Sequence, residues 1–170
     1  MLKNLKFLVC PVCKCNLFKK SRTKLYCKEC SSHYEIRDGI PILLPPNLEE
    51  FKVLEAEYHD KEAHHYGEIN MIDSYHVTHY IDKYLEVVNT LDKDSLLLEV
   101  GSGDGNVANL ITNSGINVIQ SDISFEMVNL AKNNKVNSRI IYTVSDAENI
   151  PCKDNSLDAI MIVATLHHLP

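Results

Sequence analysis

Residues 96–110 read LLLEVGSGDGNVANL, and this stretch constrains the fold more than any other. An apolar run ends in an acid, Glu99; three alternating glycines follow, and then an amphipathic segment with helical spacing. The pattern predicts a strand, a tight turn and a helix built around a ligand. Gly101, Gly103 and Gly105 permit positive φ and leave no Cβ where a ligand approaches closely. The spacing is not that of a dinucleotide fingerprint, since G-x-G-x-x-G requires a sixth-position glycine where this chain has Asn106.

A second apolar run, residues 118–121, ends in Asp122, a carboxylate placed to accept both hydroxyls of a ribose. Residues 145–169, SDAENIPCKDNSLDAIMIVATLHHL, supply an acidic loop, another apolar run and two histidines beyond it. These features, in this order over residues 96–170, resemble the class I S-adenosylmethionine-dependent methyltransferases of the type 11 kind. The resemblance implies an α/β, Rossmann-like sheet with S-adenosylmethionine as cofactor. Carried over position by position, Glu99 and the turn with Gly101, Gly103 and Gly105 face the amino acid tail of the donor. Asp122 takes the ribose, Ile123 packs on the adenine, Asp146 accepts from the adenine amino group and the Ala147 N–H donates to the ring. His167 and His168 are candidates for a general base or for a pocket wall.

The first 46 residues are chemically different. They hold nine Lys/Arg against three Asp/Glu, a net +6, whereas the remainder is −12 within an overall −6. Four of the six cysteines form two Cys-x-x-Cys pairs, Cys10/Cys13 and Cys27/Cys30, thirteen residues apart, a spacing suited to a tetrahedral Zn²⁺. About 45 residues bury too little apolar surface to fold alone, so the metal is expected to be structural, and its removal to unfold residues 1–46 while sparing the rest. A basic surface of this kind suits a polyanionic partner. Residues 8–46 resemble the small zinc-ribbon proteins that partner and activate methyltransferases. They also resemble the ribbon that opens bacterial ribosomal-RNA guanine-N1 methyltransferases. In the second family the distal knuckle is Cys-x-x-x-His, which would substitute His33 for Cys30.

Between these parts, residues 48–91 are polar and helix-like, with Val77, Ile81, Tyr84, Leu85 and Val88 forming one apolar stripe. Tyr58, His59 and Tyr66 are read either as a lid over the donor or as part of a solvated helix carrying His64 and His65. His76 and His79, spaced i, i+3, lack a third metal ligand nearby in sequence.

The expected organisation is therefore a zinc ribbon (1–46), a helical connector or lid (47–91) and a Rossmann-like half-domain (92–170) truncated after its fourth strand. Those strands are read at 96–100, 118–121, 139–144 and 157–163. The fourth, left at an edge, predicts self-association. No apolar run reaches transmembrane length and the basic start is too short for a signal peptide, so a cytoplasmic location and no membrane partner are expected. The function is open between a methyltransferase whose basic ribbon meets RNA or a ribosomal partner, a small-molecule methyltransferase, and a non-catalytic binding module.

Overall fold

The computed structural model describes residues 5–66, 75–134 and 137–169. The side chains of His64, Tyr66, His76, Val77 and His79 lie outside what it describes.

Four short strands open the chain: β1 (Leu17–Lys19), β2 (Lys24–Cys27), β3 (His33–Arg37) and β4 (Ile40–Leu43). β1 to β4 pair antiparallel in sequence order. Two helices follow, α1 (Glu50–Tyr66) and α2 (Tyr75–Val88). The rest alternates: β5 (Leu96–Val100), α3 (Asn106–Ile111), β6 (Asn117–Asp122), α4 (Phe125–Asn134), β7 (Ile140–Ser145) and β8 (Ala159–Ile162). β5 to β8 are parallel, and the complete sheet runs β1-β2-β3-β4-β7-β6-β5-β8.

The ribbon and the parallel sheet are thus one sheet. β4 lies parallel to β7, with Ile42 opposite Val144 and Leu43 opposite Ser145. The ribbon also grips the loop before β8: the Val9 N–H donates to the Pro151 carbonyl at 2.8 Å, and the Lys14 ammonium to that of Ile150 at 2.8 Å. A single apolar cluster joins Leu8, Leu25 and Ile36 of the ribbon to Leu98, Ile119 and Ile141 of the sheet. β4 ends at Leu43, two residues before Pro45-Pro46, and packing between the ribbon and the parallel sheet runs across that point.

The apolar runs explain the strands. All five residues of β5 are buried, as a parallel strand covered on both faces requires. Leu96, Leu98 and Val100 enter the cluster shared with the ribbon, while Leu97 joins Val88, Val107, Ile111 and Val118 on the other face. The expected stripe of α2 accordingly reaches this second face through Ile81 and Val88. β8 is an edge strand that shows water Ile160, 55% exposed, and Ile162, 38% exposed. Among the described residues no helix is long and apolar enough to cross a membrane.

Candidate functional site

A cavity of about 260 Å³ opens at the carboxyl ends of β5, β6 and β7. Open α/β sheets collect ligand groups here because each strand delivers its last side chain and its following loop to one crevice. Glu99, Gly101 and Gly103 come from β5 and its turn, Asp122 and Ile123 from β6, and Asp146 and Ala147 from the loop after β7. His168 reaches it from the turn after β8. Two expected residues do not line it: His167, which is exposed, and Gly105.

Gly105 has a different task. It stands at φ +79° ahead of α3, and a Cβ there would lie 2.5 Å from the Gln120 side chain and 2.8 Å from that of Ala131. Its missing side chain lets the turn pack on the sheet, not on a ligand. Gly103, at φ +51°, has open space where a Cβ would point, so the approach to the cavity is clear at that position. Gly101 is packed against Thr165, whose hydroxyl donates to the Val163 carbonyl at 2.9 Å and fixes the turn after β8.

The acids are held in distinct electrostatic states. Glu99 is 2% exposed, its Oε2 has no hydrogen-bond partner among the described residues, and burial pushes its carboxyl up to about 8. The buried Ser102 hydroxyl, which lines the same cavity, likewise has no partner among the described residues. Two orphaned polar groups facing one cavity fit a ligand that brings its own donors and acceptors. Asp122 is oriented by backbone: Oδ2 accepts from the Gly103 N–H at 2.9 Å and Oδ1 from the Ser124 N–H at 3.0 Å. Asp146 accepts from Lys52 at 2.9 Å, Asn149 at 2.7 Å and the Glu148 N–H at 3.2 Å. A carboxylate offers about four lone-pair sites, so about one remains for a ligand amino group.

Helix α1 roofs the cavity with Phe51, Lys52, Glu55 and His59. Lys52, 6% exposed, is ion-paired to Asp146 and to Glu148, which ties the roof to the floor. Sequence reasoning missed Lys52 and Glu55, since a polar helix gives no periodic sign of which charge turns inward. His59 does reach the cavity, whereas Tyr58 is 58% exposed. The Asp60 carboxylate accepts from the Glu126 N–H at 3.0 Å and from the Ser124 hydroxyl, so α1 helps to cap α4.

A second cluster lies in the ribbon. The sulfurs of Cys10, Cys13, Cys27 and Cys30 all fall within 4.8 Å of one another, with Cys10–Cys30 at 3.5 Å and Cys13–Cys27 at 3.4 Å. Zn–S bonds of ~2.3 Å put the corners of a thiolate tetrahedron ~3.8 Å apart, so the donor set fits zinc. All six cysteines are free thiols. His33 is outside the cluster, near the Lys20 ammonium at 3.2 Å and stacked on Tyr26.

Residues 98–170 match the family model described as "Methyltransferase domain", and residues 2–39 match that described as "Trm112p-like protein". A UPF0434 protein of Nitrosococcus oceani is 46% identical over 50 residues, 29% of this chain and 85% of the relative. Among solved structures, phosphoethanolamine N-methyltransferase 2 of Haemonchus contortus, in complex with S-adenosyl-L-methionine, superposes with a TM-score of 0.54 at 20% identity, covering 72% of this chain and 30% of that one. A Methanococcus maripaludis protein assigned to the S-adenosyl-L-methionine-dependent methyltransferases gives 0.53 at 20% identity, covering 74% and 56%. The chain thus spans 30% and 56% of the lengths of these two structures, and the likeness to them is one of fold. The chain belongs to the UPF0434 family, and over residues 98–170 it carries a methyltransferase domain.

Proposed function

We propose that this chain binds S-adenosylmethionine in the cavity under α1 and serves methyl transfer from it. One observation carries the reading: the turn after β5, Asp122 and Asp146, which the methyltransferase resemblance assigns to three parts of one donor, converge on a single crevice. Asp122 holds the ribose, Ile123 the adenine face, and the free acceptor site of Asp146 the adenine amino group, with the Ala147 N–H donating to the ring. Glu99 and the turn residues Gly101 and Gly103 hold the amino acid tail, and Gly105 supports that turn from behind. The bound donor supplies an electrophilic methyl group. The chain's own contribution is to hold the acceptor in line with it and to exclude water, with α1 as the roof. His168, which lines the cavity where His167 does not, supports the reading as a wall of the acceptor pocket.

The four cysteines hold a structural Zn²⁺ in this reading. The ribbon's exposed Lys19, Lys20, Arg22, Lys24 and Lys28 support a polyanionic partner such as RNA or a ribosomal particle. The open edge of β8 supports association between copies, checked by light scattering across concentration, where a monomer throughout rules it out.

Calorimetric titration with S-adenosylmethionine tests the donor site. Asp122→Ala removes charge-assisted hydrogen bonds and is expected to weaken binding by about 1.5–3 kcal/mol. Unchanged affinity in a folded variant refutes the ribose assignment. Labelled donor incubated with the protein and a cell extract then shows whether label enters RNA, protein or small molecules.

A further inference from the structure

Glu55, His59 and His168 converge at the mouth of the cavity, from two elements far apart in sequence. Glu55 and His59 are one turn apart on α1, and His168 ends the short helical turn after β8. Glu55 Oε2 lies 3.6 Å from His59 Nε2 and 3.3 Å from His168 Nδ1, and the three ligand atoms are all within 4.8 Å of one another. The two imidazoles meet edge to face, 5.4 Å between centroids at 80°, so both rings can turn a nitrogen toward one point without overlapping.

These separations are long for hydrogen bonds, whose N···O distances fall at ~2.7–3.2 Å. The 3.3 Å separation, and more loosely the 3.6 Å one, suit another geometry. Ligands held ~2.0–2.1 Å from a tetrahedral ion stand ~3.3–3.4 Å apart along each edge. Two imidazoles and one carboxylate are also a donor set that borderline divalent cations accept, and three protein ligands leave one position open.

We propose that Glu55, His59 and His168 form a binding site for a divalent cation of the zinc class, with its fourth position open to the cavity. The site is separate from the cysteine cluster, and its ligand set differs, with nitrogen and oxygen in place of sulfur. Its carriers are fixed: α1 is pinned by Lys52 to Asp146 and by Asp60 to the start of α4, and the His168 N–H donates to the Thr165 carbonyl at 2.9 Å. An ion at this place would draw an oxygen or sulfur anion into the cavity as its fourth ligand.

The test is direct metal binding by the full chain at pH 8. Zinc analysis is expected to give two equivalents in the wild type and one in the double variant His59→Ala/His168→Ala. Cobalt titrated into protein whose cysteine site already holds zinc is expected to give weak visible bands without thiolate charge transfer. Glu55→Gln is expected to weaken this second equivalent at least ~10-fold, with circular dichroism unchanged. A single equivalent in the wild type, or a second one indifferent to these three side chains, overturns the proposal. Neither readout depends on S-adenosylmethionine binding, so failure here and failure of the methyltransferase reading are told apart.

Discussion

Glu99 shows how one buried carboxyl couples stability, pH and ligand. Its group titrates near the ordinary 4.5 when unfolded and, pushed up by burial, at about 8 when folded. Between those values the folded chain holds a proton that the unfolded chain has lost, so this residue's contribution to stability falls as pH rises from about 4.5 to about 8. Glu99→Gln is expected to flatten that slope and to gain most over wild type above pH 8, as read from denaturant midpoints across pH. If the donor's ammonium takes the place of the proton, S-adenosylmethionine binding at pH 7 releases protons, seen as a dependence of calorimetric enthalpy on buffer; no release rules out contact between this acid and the donor's amino group. The glycines separate along the same line. Gly103→Ala should leave the fold within about 1–2 kcal/mol of wild type, the cost of a left-handed alanine, yet reduce donor affinity. Gly105→Ala, colliding with Gln120 and Ala131, should lose more stability, by another ~1–3 kcal/mol of overpacking.

At the scale of elements, the strands are readable because parallel strands buried on both faces are written as unbroken apolar runs: β5 falls on residues 96–100 as expected, and β6 and β7 differ from the expected spans by one residue at each end. Helix α1 was harder to read. Among its described side chains the buried ones are Lys52 and Ala63, which show no apolar stripe, and what turns Lys52 inward is an acid 94 residues away. That interaction defines the roof. Lys52→Met removes the ammonium from the buried Asp146, and losing one partner of a buried pair costs roughly 3–5 kcal/mol. The variant should melt earlier, and amide exchange along α1 should quicken before that of β5. Equal exchange in the two elements would show that α1 does not open separately.

For the whole molecule, the decisive contact is between β4 and β7, and nothing local in the sequence announces it. The IPIL run reads as a strand, but its partner lies about a hundred residues on and is chosen by packing. The sequence alone therefore predicts a ribbon that unfolds by itself when its metal is removed. The structure gives a different expectation. Cys10 and Cys27 are fully buried in the same cluster as Leu98, Ile119 and Ile141, so loosening the ribbon opens one face of the parallel sheet and bares the edge of β7. Exposed edge groups and apolar surface then act together against the remaining fold. Chelation should accordingly lower the melting temperature of the whole chain in one transition, and strip exchange protection from the amides of Thr143, Val144 and Ser145 as well as from residues 8–43. Two resolved transitions, with β7 still protected in the chelated protein, would mean that the ribbon and the sheet fold independently despite their shared core.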